Sequence, residues 1–477
     1  MLKSLFRDSI LYTLSTVLTR GISFILLPVY TRALSPEEFG LLDYFVALGA
    51  IASIVITLEL MQGLARYIPE CLEDGKKKRD YASTCMWFVL GAYTAMLVLV
   101  STFSSPLAVL LLDAPGKAGL VELAGWSYWV AGVLNILHGQ LRWELRAATS
   151  ALLSLLAALL TVACTVVLVV WLQWGIRGAL LAQVAGGMLA LLPSLYLTRS
   201  SFGLRFDGAS LRRMLAYSTP LIPSSLAVVF ALYFDRIALK EFMSLSDVGI
   251  YAVGQKISLV VTLALIGFRS ALTPLVYANH ARDSTPGDLA KIFRVFCVAA
   301  LAMTLCLSVF AREIVGLISS EAFHGAASVV PLLIFSVLLA NMYIFAPGLE
   351  LSRKTGSISA INIAVAVLNL VLNYLLIPVF GILGAALSAL LAFGAGFVVY
   401  MYASQRLYPV PHDWPGVAKL LAIVLVGMGG IHGAAQVWGV DLLIKAPLTL
   451  LTLYLMVRAS GIPLAGMRAR ISGLLKN

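Results

Sequence analysis

The stretch from Ser9 to Arg66 decides the fold. It reads SILYTLSTVLTRGISFILLPVYTRAL (9–34), breaks at SPEEFG (35–40), and resumes LLDYFVALGAIASIVITLELMQGLAR (41–66). Each half is long enough to cross a bilayer as a helix, which takes about 20 apolar residues. The whole chain of 477 residues is 60% hydrophobic and only 12% charged, where soluble domains carry about 25% charged residues. The sequence therefore predicts an all-α integral membrane protein.

Arg20 lies about midway along the first apolar run. A cation at that depth costs roughly 2.5–3.5 kcal/mol or more in hydrocarbon, so it should face protein or water. Ser9, Thr13, Thr16, Arg20 and Ser23 follow spacings of four and three, which place them on one helical face. We interpret this face as a polar stripe that lines an internal, water-filled cavity.

A second polar stripe occurs in the next run. Glu59, Gln62 and Arg66 are spaced i, i+3 and i+7 and are predicted to line the same cavity. Alternatively, Glu59 and Arg66 form an ion pair that holds the bundle together. Glu59 and Asp43 are also candidates for binding a coupling proton or sodium ion, although either could instead form a salt bridge.

The basic residues set the predicted topology. With the N-terminus inside, 23 of the 34 Lys and Arg residues fall in cytoplasmic segments, 6 in outer segments and 5 within spans. This bias follows the positive-inside rule and puts both termini in the cytoplasm. About fourteen spans are predicted, near 9–34, 40–65, 81–105, 119–140, 148–172, 176–198, 214–240, 247–272, 291–311, 327–350, 357–379, 382–403, 416–437 and 442–460.

The composition also excludes several classes of protein. The net charge of +11 lies in short loops between apolar runs, so no nucleic-acid partner is predicted. The five cysteines contain no CxxC pair, and the five histidines show no ligand spacing. Neither a metal site nor any cofactor is therefore expected.

An internal repeat organises the predicted spans. Residues 35–42 resemble residues 244–251 at an offset of 209, and residues 174–179 resemble 380–385 at an offset of 206. Two six-helix lobes, 1–198 and 214–403, would then be parallel repeats with the site between them. A basic cytoplasmic linker, 199–213, joins the lobes, and 404–477 holds two additional helices and a basic cytoplasmic tail.

Span 7 carries two further features. Pro220 and Pro223 lie near its start and form either a hinge or a static kink, because proline removes a backbone donor. Asp235 and Arg236 lie near its outer end. They are either an ion pair that fixes the helix, which we favour, or part of an outer gate.

Polar faces also occur in spans 8 and 11. Lys256 lies near mid-depth of span 8 and could line the cavity. Four other polar residues of this span share one helical face: Gln255, Ser258, Thr262 and Arg269. Lys256 lies beside Gln255. In span 11, Asn362, Asn369 and Asn373 share a face, and buried asparagines of this kind either join helices or contact a ligand.

Four segments in order resemble the polysaccharide flippases of the multidrug/oligosaccharidyl-lipid/polysaccharide exporter superfamily. They are LLPVYTRALSPEEFG (26–40), STPLIPSSL (218–226), YFDRIALKEFMSLSDVGIYAVGQKI (233–257) and NLVLNYLLIPVFGILGAALSALLA (369–392). The resemblance implies two lobes facing a central cavity. It implies that the protein moves an undecaprenyl-pyrophosphate-linked oligosaccharide from the cytoplasmic to the periplasmic leaflet of the bacterial inner membrane, by alternating access. Arg20 is similar to a first-helix arginine of the related lipid II flippases, whose further arginines have no match here.

Two alternatives remain at this point. A cation-coupled multidrug exporter of the same fold would need acidic residues deep in the cavity, whereas the deepest charges here are Arg20 and Lys256. A membrane polysaccharide polymerase or ligase would need a large outer loop with catalytic groups, and the outer loops are short. We therefore predict a transporter, not an enzyme. Its expected partners are the lipid-linked substrate and the bilayer, with a polymerase and glycosyltransferases as further candidates, and a monomeric state is expected.

Overall fold

The computed structural model describes residues 24–71, 74–280, 282–438 and 442–461. Within these ranges the regular structure is entirely helical, which confirms the predicted all-α class. The helices are α1 (Phe24–Ala33), α2 (Pro36–Thr57), α3 (Leu60–Tyr67), α4 (Gly75–Thr102), α5 (Ser104–Leu112), α6 (Ala118–Trp143), α7 (Ala147–Thr165), α8 (Gly175–Thr198), α9 (Gly208–Ser218), α10 (Ile222–Phe242), α11 (Leu245–Ser258), α12 (Val260–Asn279), α13 (Thr285–Val309), α14 (Ala311–Ile318), α15 (Val330–Asn341), α16 (Gly348–Leu351), α17 (Thr355–Phe380), α18 (Ile382–Gln405), α19 (Trp414–Trp438) and α20 (Leu442–Ala459).

Ten helical segments among the described residues are long and apolar enough to cross a membrane. The number is eleven if the bent pair Glu321–Ser328 and Val330–Phe345 counts as one span. Large apolar side chains on these segments, such as Trp171 and Val426, are each 75% exposed. Outward-facing apolar surface of this kind is what lipid tails cover in a multi-pass membrane protein. The exact predicted number of fourteen spans stays a prediction.

The chain divides into two compact units. The first comprises the residues up to Val253 together with Ile318–Gly325 and Asn362–Ser388. The second comprises Gly254–Leu317, Ala326–Ile361 and the residues from Ala389 onward. The predicted lobe boundaries at 198 and 214 stay a prediction.

The predicted polar break at 35–40 is the start of α2. Ser35 Oγ accepts a hydrogen bond from the Glu38 backbone N at 3.2 Å, and Glu38 Oε2 accepts one from the Ser35 backbone N at 3.0 Å. This capping box, followed by Pro36 at the first helical position, fixes where the helix begins. Glu38 Oε1 also accepts a hydrogen bond from the Ile176 backbone N at 3.2 Å, which ties the start of α8 to the same point.

The core of the first unit lies between α4, α6 and α8. Val89, Val133 and Leu137 are at most 3% exposed there. A polar chain crosses this packing: the two ring nitrogens of His138 lie 3.1 Å from Ser194 Oγ and 3.1 Å from Ser154 Oγ. Hydroxyl and imidazole groups of this kind join helices inside a membrane protein, where no water is available as a partner.

The second unit buries the last two helices against α13. Leu305 of α13, Val424 of α19 and Met456 of α20 are at most 1% exposed. Lys445 is only 8% exposed, and its ammonium pairs with Glu313 and donates to the Val309 carbonyl at 3.3 Å. A lysine within an apolar helix is tolerated because both partners lie within the same unit. The bounds of α20 lie close to the predicted range 442–460, but α20 is not among the helices counted as long and apolar enough to cross a membrane, so this span stays a prediction.

Candidate functional site

The first predicted cavity stripe lies outside the described residues. Thr16, Arg20 and Ser23 precede Phe24, where the described part of the chain begins. Their assignment to the cavity therefore stays a prediction.

The second predicted stripe is interrupted by a break in its helix. Leu58 and Glu59 have left-handed backbone angles, with φ of 50° and 55°, so α2 ends before them and α3 begins after them. Such conformations cost of order 1–3 kcal/mol per non-glycine residue. Ser218 Oγ donates a hydrogen bond of 2.8 Å to the freed Leu58 carbonyl. The predicted helical face through Glu59 is therefore wrong, whereas Gln62 and Arg66 are both exposed on α3.

Arg66 has a different partner from the one considered in the sequence. It forms an ion pair with Glu70, one turn further on, and the two side chains are 48% and 52% exposed. The alternative of a Glu59–Arg66 pair is therefore wrong. Because water screens an exposed pair of this kind, it contributes little to stability and leaves the guanidinium available for other contacts.

The predicted Asp235–Arg236 pair is present, and it belongs to a larger buried group. We call Asp43, Asp235, Arg236 and Tyr251, from α2, α10 and α11, the Arg236 cluster. Arg236 Nε donates to Asp43 Oδ2 at 3.2 Å, and its Nη1 donates to Asp235 Oδ1 at 2.6 Å. The Tyr251 hydroxyl donates to the other Asp235 oxygen at 2.5 Å. The side chains of the three charged residues are 4–7% exposed.

Burial makes the pairing within the Arg236 cluster strongly interdependent. Taking a charge out of water costs several kcal/mol, so each buried charge needs a partner and further hydrogen bonds. Arg236 also donates to the Leu232 carbonyl at 2.8 Å, and its guanidinium carbon lies 5.3 Å from the Tyr233 ring centroid. The sequence analysis treated Asp43 as a candidate for binding a coupling ion, and it treated Asp235 and Arg236 separately as a candidate outer gate. In the structure Asp43 contacts Arg236 directly. Both roles stay predictions.

Next to the Arg236 cluster, two glycines bring helix starts into direct contact. A Cβ atom added to Gly40 of α2 would lie 1.8 Å from the Leu245 carbonyl oxygen of α11. A Cβ atom added to Gly249 of α11 would lie 2.1 Å from the Pro36 carbonyl oxygen of α2. The repeat offset of 209 relates Pro36 to Leu245 and Gly40 to Gly249, so the contact is reciprocal.

The local structures of the repeated segments also correspond. Ser244 Oγ accepts from the Asp247 backbone N at 3.2 Å, as Ser35 does from Glu38. Gly175 and Gly381, which the second offset of 206 relates, have left-handed φ of 55° and 56° at the starts of α8 and α18. The two sequence matches therefore describe equivalent helix starts.

Pro220 and Pro223 separate two helices. α9 ends at Ser218, a 3-10 turn covers Thr219–Leu221, and α10 begins at Ile222. Pro223 occupies the first turn of α10, where a missing N–H group costs little. The helices α9 and α10 together form one candidate span, Gly208–Phe242, and the hinge role of the two prolines stays a prediction.

The predicted face along span 8 is divided in the structure. α11 ends at Ser258 and α12 begins at Val260, so Gln255 and Lys256 belong to a different helix from Arg269. Only Leu259 separates the two helices, and the shared polar face along span 8 stays a prediction. Gln255 and Lys256 are half-buried, and Lys256 makes polar interactions of its own. Arg269 is exposed.

Arg269 lies among side chains that the sequence did not single out. Tyr277, Tyr343 and Tyr400 each interact electrostatically with its guanidinium, and Glu350 accepts a hydrogen bond of 3.0 Å from Tyr277. These residues lie near the ends of predicted spans 8, 10 and 12. Even-numbered spans all end on the same side of the membrane, and this was the one feature of the sequence that could have placed these residues together. Helical periodicity does not relate residues on separate spans.

The asparagines of span 11 pair with each other. Asn373 Nδ2 donates to Asn369 Oδ1 at 3.0 Å, and both side chains are at most 1% exposed. Asn362 is only half-buried. Both residues belong to α17, so this bond lies within one helix, and Asn369 Nδ2 and Asn373 Oδ1 have no hydrogen-bond partner among the described residues. Whether these asparagines join helices or contact a ligand stays a prediction.

In the part of the chain that the structure describes, no group of three or more His, Cys, Asp or Glu side chains could hold a metal ion. The five cysteines are free thiols.

A protein-family model described as "Polysaccharide biosynthesis protein" matches residues 5–280, more than half of the chain. This chain belongs to the polysaccharide biosynthesis protein family. The match contains α2, α10 and α11, and hence every member of the Arg236 cluster. The family resemblance inferred from the sequence motifs is confirmed.

Relatives of the chain carry names from glycan synthesis. A probable low-salt glycan biosynthesis flippase, Agl15, from Haloferax volcanii is 23% identical over 451 residues, which cover 92% of each chain. The succinoglycan biosynthesis transport protein ExoT from Rhizobium meliloti is 27% identical over 246 residues, covering 51% of this chain and 47% of that protein.

Solved transporters share the fold. A multidrug resistance MATE-family transporter of the MOP superfamily in an inward-facing conformation has a TM-score of 0.65 at 18% identity, with 84% of this chain and 95% of that chain covered. A MOP-superfamily transporter from Pyrococcus furiosus has a TM-score of 0.57 at 15% identity, covering 84% and 96% of the two chains. This protein therefore has the all-helical fold of MATE transporters.

Proposed function

We propose that this protein is a flippase that moves a lipid-linked oligosaccharide across the cytoplasmic membrane by alternating access. The substrate class is supported by the family and by the near full-length similarity to a chain named as a glycan biosynthesis flippase. The proposed lipid is undecaprenyl pyrophosphate, moved from the cytoplasmic to the outer leaflet. Arg20 is the residue we propose to contact the pyrophosphate, since arginine binds phosphate through paired donors.

One observation carries the mechanism: the Arg236 cluster lies beside the reciprocal contact of Gly40 and Gly249. The glycine contact joins α2 and α11, which the internal repeat relates, and the Arg236 cluster joins α10 to both of them. Both features lie toward the end of the spans that we assign to the outside. Closely packed backbones joined by a buried ion pair favour two discrete arrangements, either paired and dry or separated and wet. We therefore propose that the Arg236 cluster and the two glycines form the outer gate, and that the segment around Pro220 and Pro223 bends when it opens.

The test measures flipping in reconstituted vesicles with a fluorescent undecaprenyl-pyrophosphate-linked oligosaccharide. We expect the protein to move the lipid between leaflets, and Arg20→Ala to abolish this movement while the protein still inserts. The alternative, a multidrug exporter of the same fold, predicts efflux of cationic dyes from cells and no flipping. Flipping by Arg20→Ala at the native rate and native protein level would contradict the assignment of Arg20.

A further inference from the structure

The environment of Arg269 suggests a second ligand contact on the transport pathway. Arg269 is exposed, although it lies ten residues before Asn279, the end of α12. In the sequence, Arg269 falls within predicted span 8 (247–272), close to the end of that span. An exposed cation within a membrane span needs an aqueous space or polar partners beside it, because contact with lipid tails is costly.

Around Arg269 the second unit assembles aromatic and acidic groups from three further segments. We call Arg269, Tyr277, Tyr343, Glu350 and Tyr400 the tyrosine cluster. The rings of Tyr343 and Tyr400 lie 5.1 Å apart between centroids. The Tyr277 hydroxyl donates to Glu350 Oε2 at 3.0 Å, while the other Glu350 oxygen makes no hydrogen bond with a described residue.

Tyr400 gives an independent sign that the tyrosine cluster can bind a polar group. Its side chain is only 5% exposed, yet its hydroxyl has no hydrogen-bond partner in the described ranges. That hydroxyl interacts electrostatically with the other four members of the cluster. A buried hydroxyl without a partner costs about 1–3 kcal/mol, a loss that a bound polar group would remove.

The segment that carries Glu350 is held rigidly. Ser404 Oγ donates to the Ala346 carbonyl at 2.5 Å and accepts from the Leu349 backbone N at 3.2 Å. A Cβ atom on Gly348 would lie 2.2 Å from the Ser404 carbonyl oxygen, so α16 and α18 are in backbone contact. This packing fixes the carboxylate relative to the tyrosines, as a preorganised binding site requires.

We propose that the tyrosine cluster is a saccharide subsite, which binds the glycan part of the lipid-linked substrate. The chemistry is that of a sugar: a carboxylate accepts from hydroxyl groups, a guanidinium and phenols donate to them, and the half-exposed Tyr277 ring offers a flat apolar face. The carboxylate of Glu350 and the guanidinium of Arg269 balance each other, so the tyrosine cluster has no net charge and suits a polar, uncharged sugar ring. The inference rests on the proposed flippase function and names the groups that would recognise its glycan.

The test compares lipids that differ only in the sugar. Affinities of the purified full-length protein are measured for undecaprenyl pyrophosphate alone and for the same lipid carrying N-acetylglucosamine, glucose or galactose. We expect at least one sugar to improve affinity about tenfold, and Glu350→Gln and Tyr277→Phe to remove that gain without changing the affinity for the bare lipid. Tyr408→Phe is the matched control, since its hydroxyl bonds only the His280 carbonyl, at 3.1 Å, outside the cluster.

Two results would overturn the saccharide subsite. In one, no sugar improves affinity over the bare lipid. In the other, the variants weaken the bare and glycosylated lipids equally. Failure of the flippase function itself looks different, because the native protein would then bind and flip none of the four lipids.

Discussion

Replacing Arg236 with glutamine tests the proposed outer gate most directly. The change leaves Asp43 and Asp235 buried without the cation that lies 3.2 Å and 2.6 Å from their oxygens. With an effective dielectric constant of 20, each contact corresponds to a gross attraction of about 5–6 kcal/mol. Because the desolvation of the charges opposes this attraction, the net cost of breaking a buried pair is about 3–5 kcal/mol.

A cost of this size should open the contact between α2 and α10. It corresponds to a shift of roughly 100-fold to 5,000-fold in the equilibrium between the closed and open contact. The reporter is Ala47→Cys on α2, one turn after Asp43, because Ala47 is 0% exposed. In a background without native cysteines, we expect Arg236→Gln to accelerate labelling by an impermeant maleimide from outside by at least tenfold. Lys117→Gln, which removes an exposed ion pair with Glu37, is the control and should change labelling less than twofold.

The reasoning is refuted if Arg236→Gln behaves like the control Lys117→Gln, with labelling at the native rate and a melting temperature equal to that of the control. A folding defect is separated from gate opening by the triple variant Asp43→Asn, Asp235→Asn, Arg236→Gln. It removes all three charges together, so most of the stability should return, since neutral replacement of a buried ionic group is often tolerated. Labelling should stay fast, because no ion pair then holds the contact closed.

Three further outcomes are expected. Gly40→Ala should prevent closure of the same contact and slow flipping at least tenfold, since its Cβ would meet the Leu245 oxygen at 1.8 Å; Gly91→Ala, with no atom within 4 Å, should be neutral. Burial lowers the pKa of His412 from 6.5 to about 4, so the unfolded chain binds more protons between these values. His412 should therefore make stability fall as the pH drops from 6.5 toward 4, by up to about 3 kcal/mol, and thermal melts of His412→Gln should show a weaker pH dependence than those of the native protein. In vesicles with potential and pH gradient set independently, outward flipping of an anionic lipid should follow voltage more than pH, at about 2.3 kcal/mol per charge per 100 mV; flipping that ignores the potential would direct attention to Glu59.

The sequence by itself determined the class of the fold and most helix positions. Hydrophobic run length is a local property, and a bilayer admits few structures other than helices, so composition sufficed for an all-α membrane protein. The sequence break at 35–40 lies at the start of α2, and the segments matched at offsets of 209 and 206 lie at equivalent helix starts. The Asp235–Arg236 pair was also visible, because its members are adjacent in the chain.

Only the tertiary structure decided which distant residues meet. Asp43 lies 193 positions before Arg236, and no periodicity relates residues on separate helices. The break at Leu58 and Glu59 was hidden as well, because tertiary contacts stabilise left-handed backbone that local propensity disfavours. The sequence could assign Arg269 to a polar face, but it could not place Glu350 and Tyr400 beside it. Their proximity depends on how α12, α16 and α18 pack.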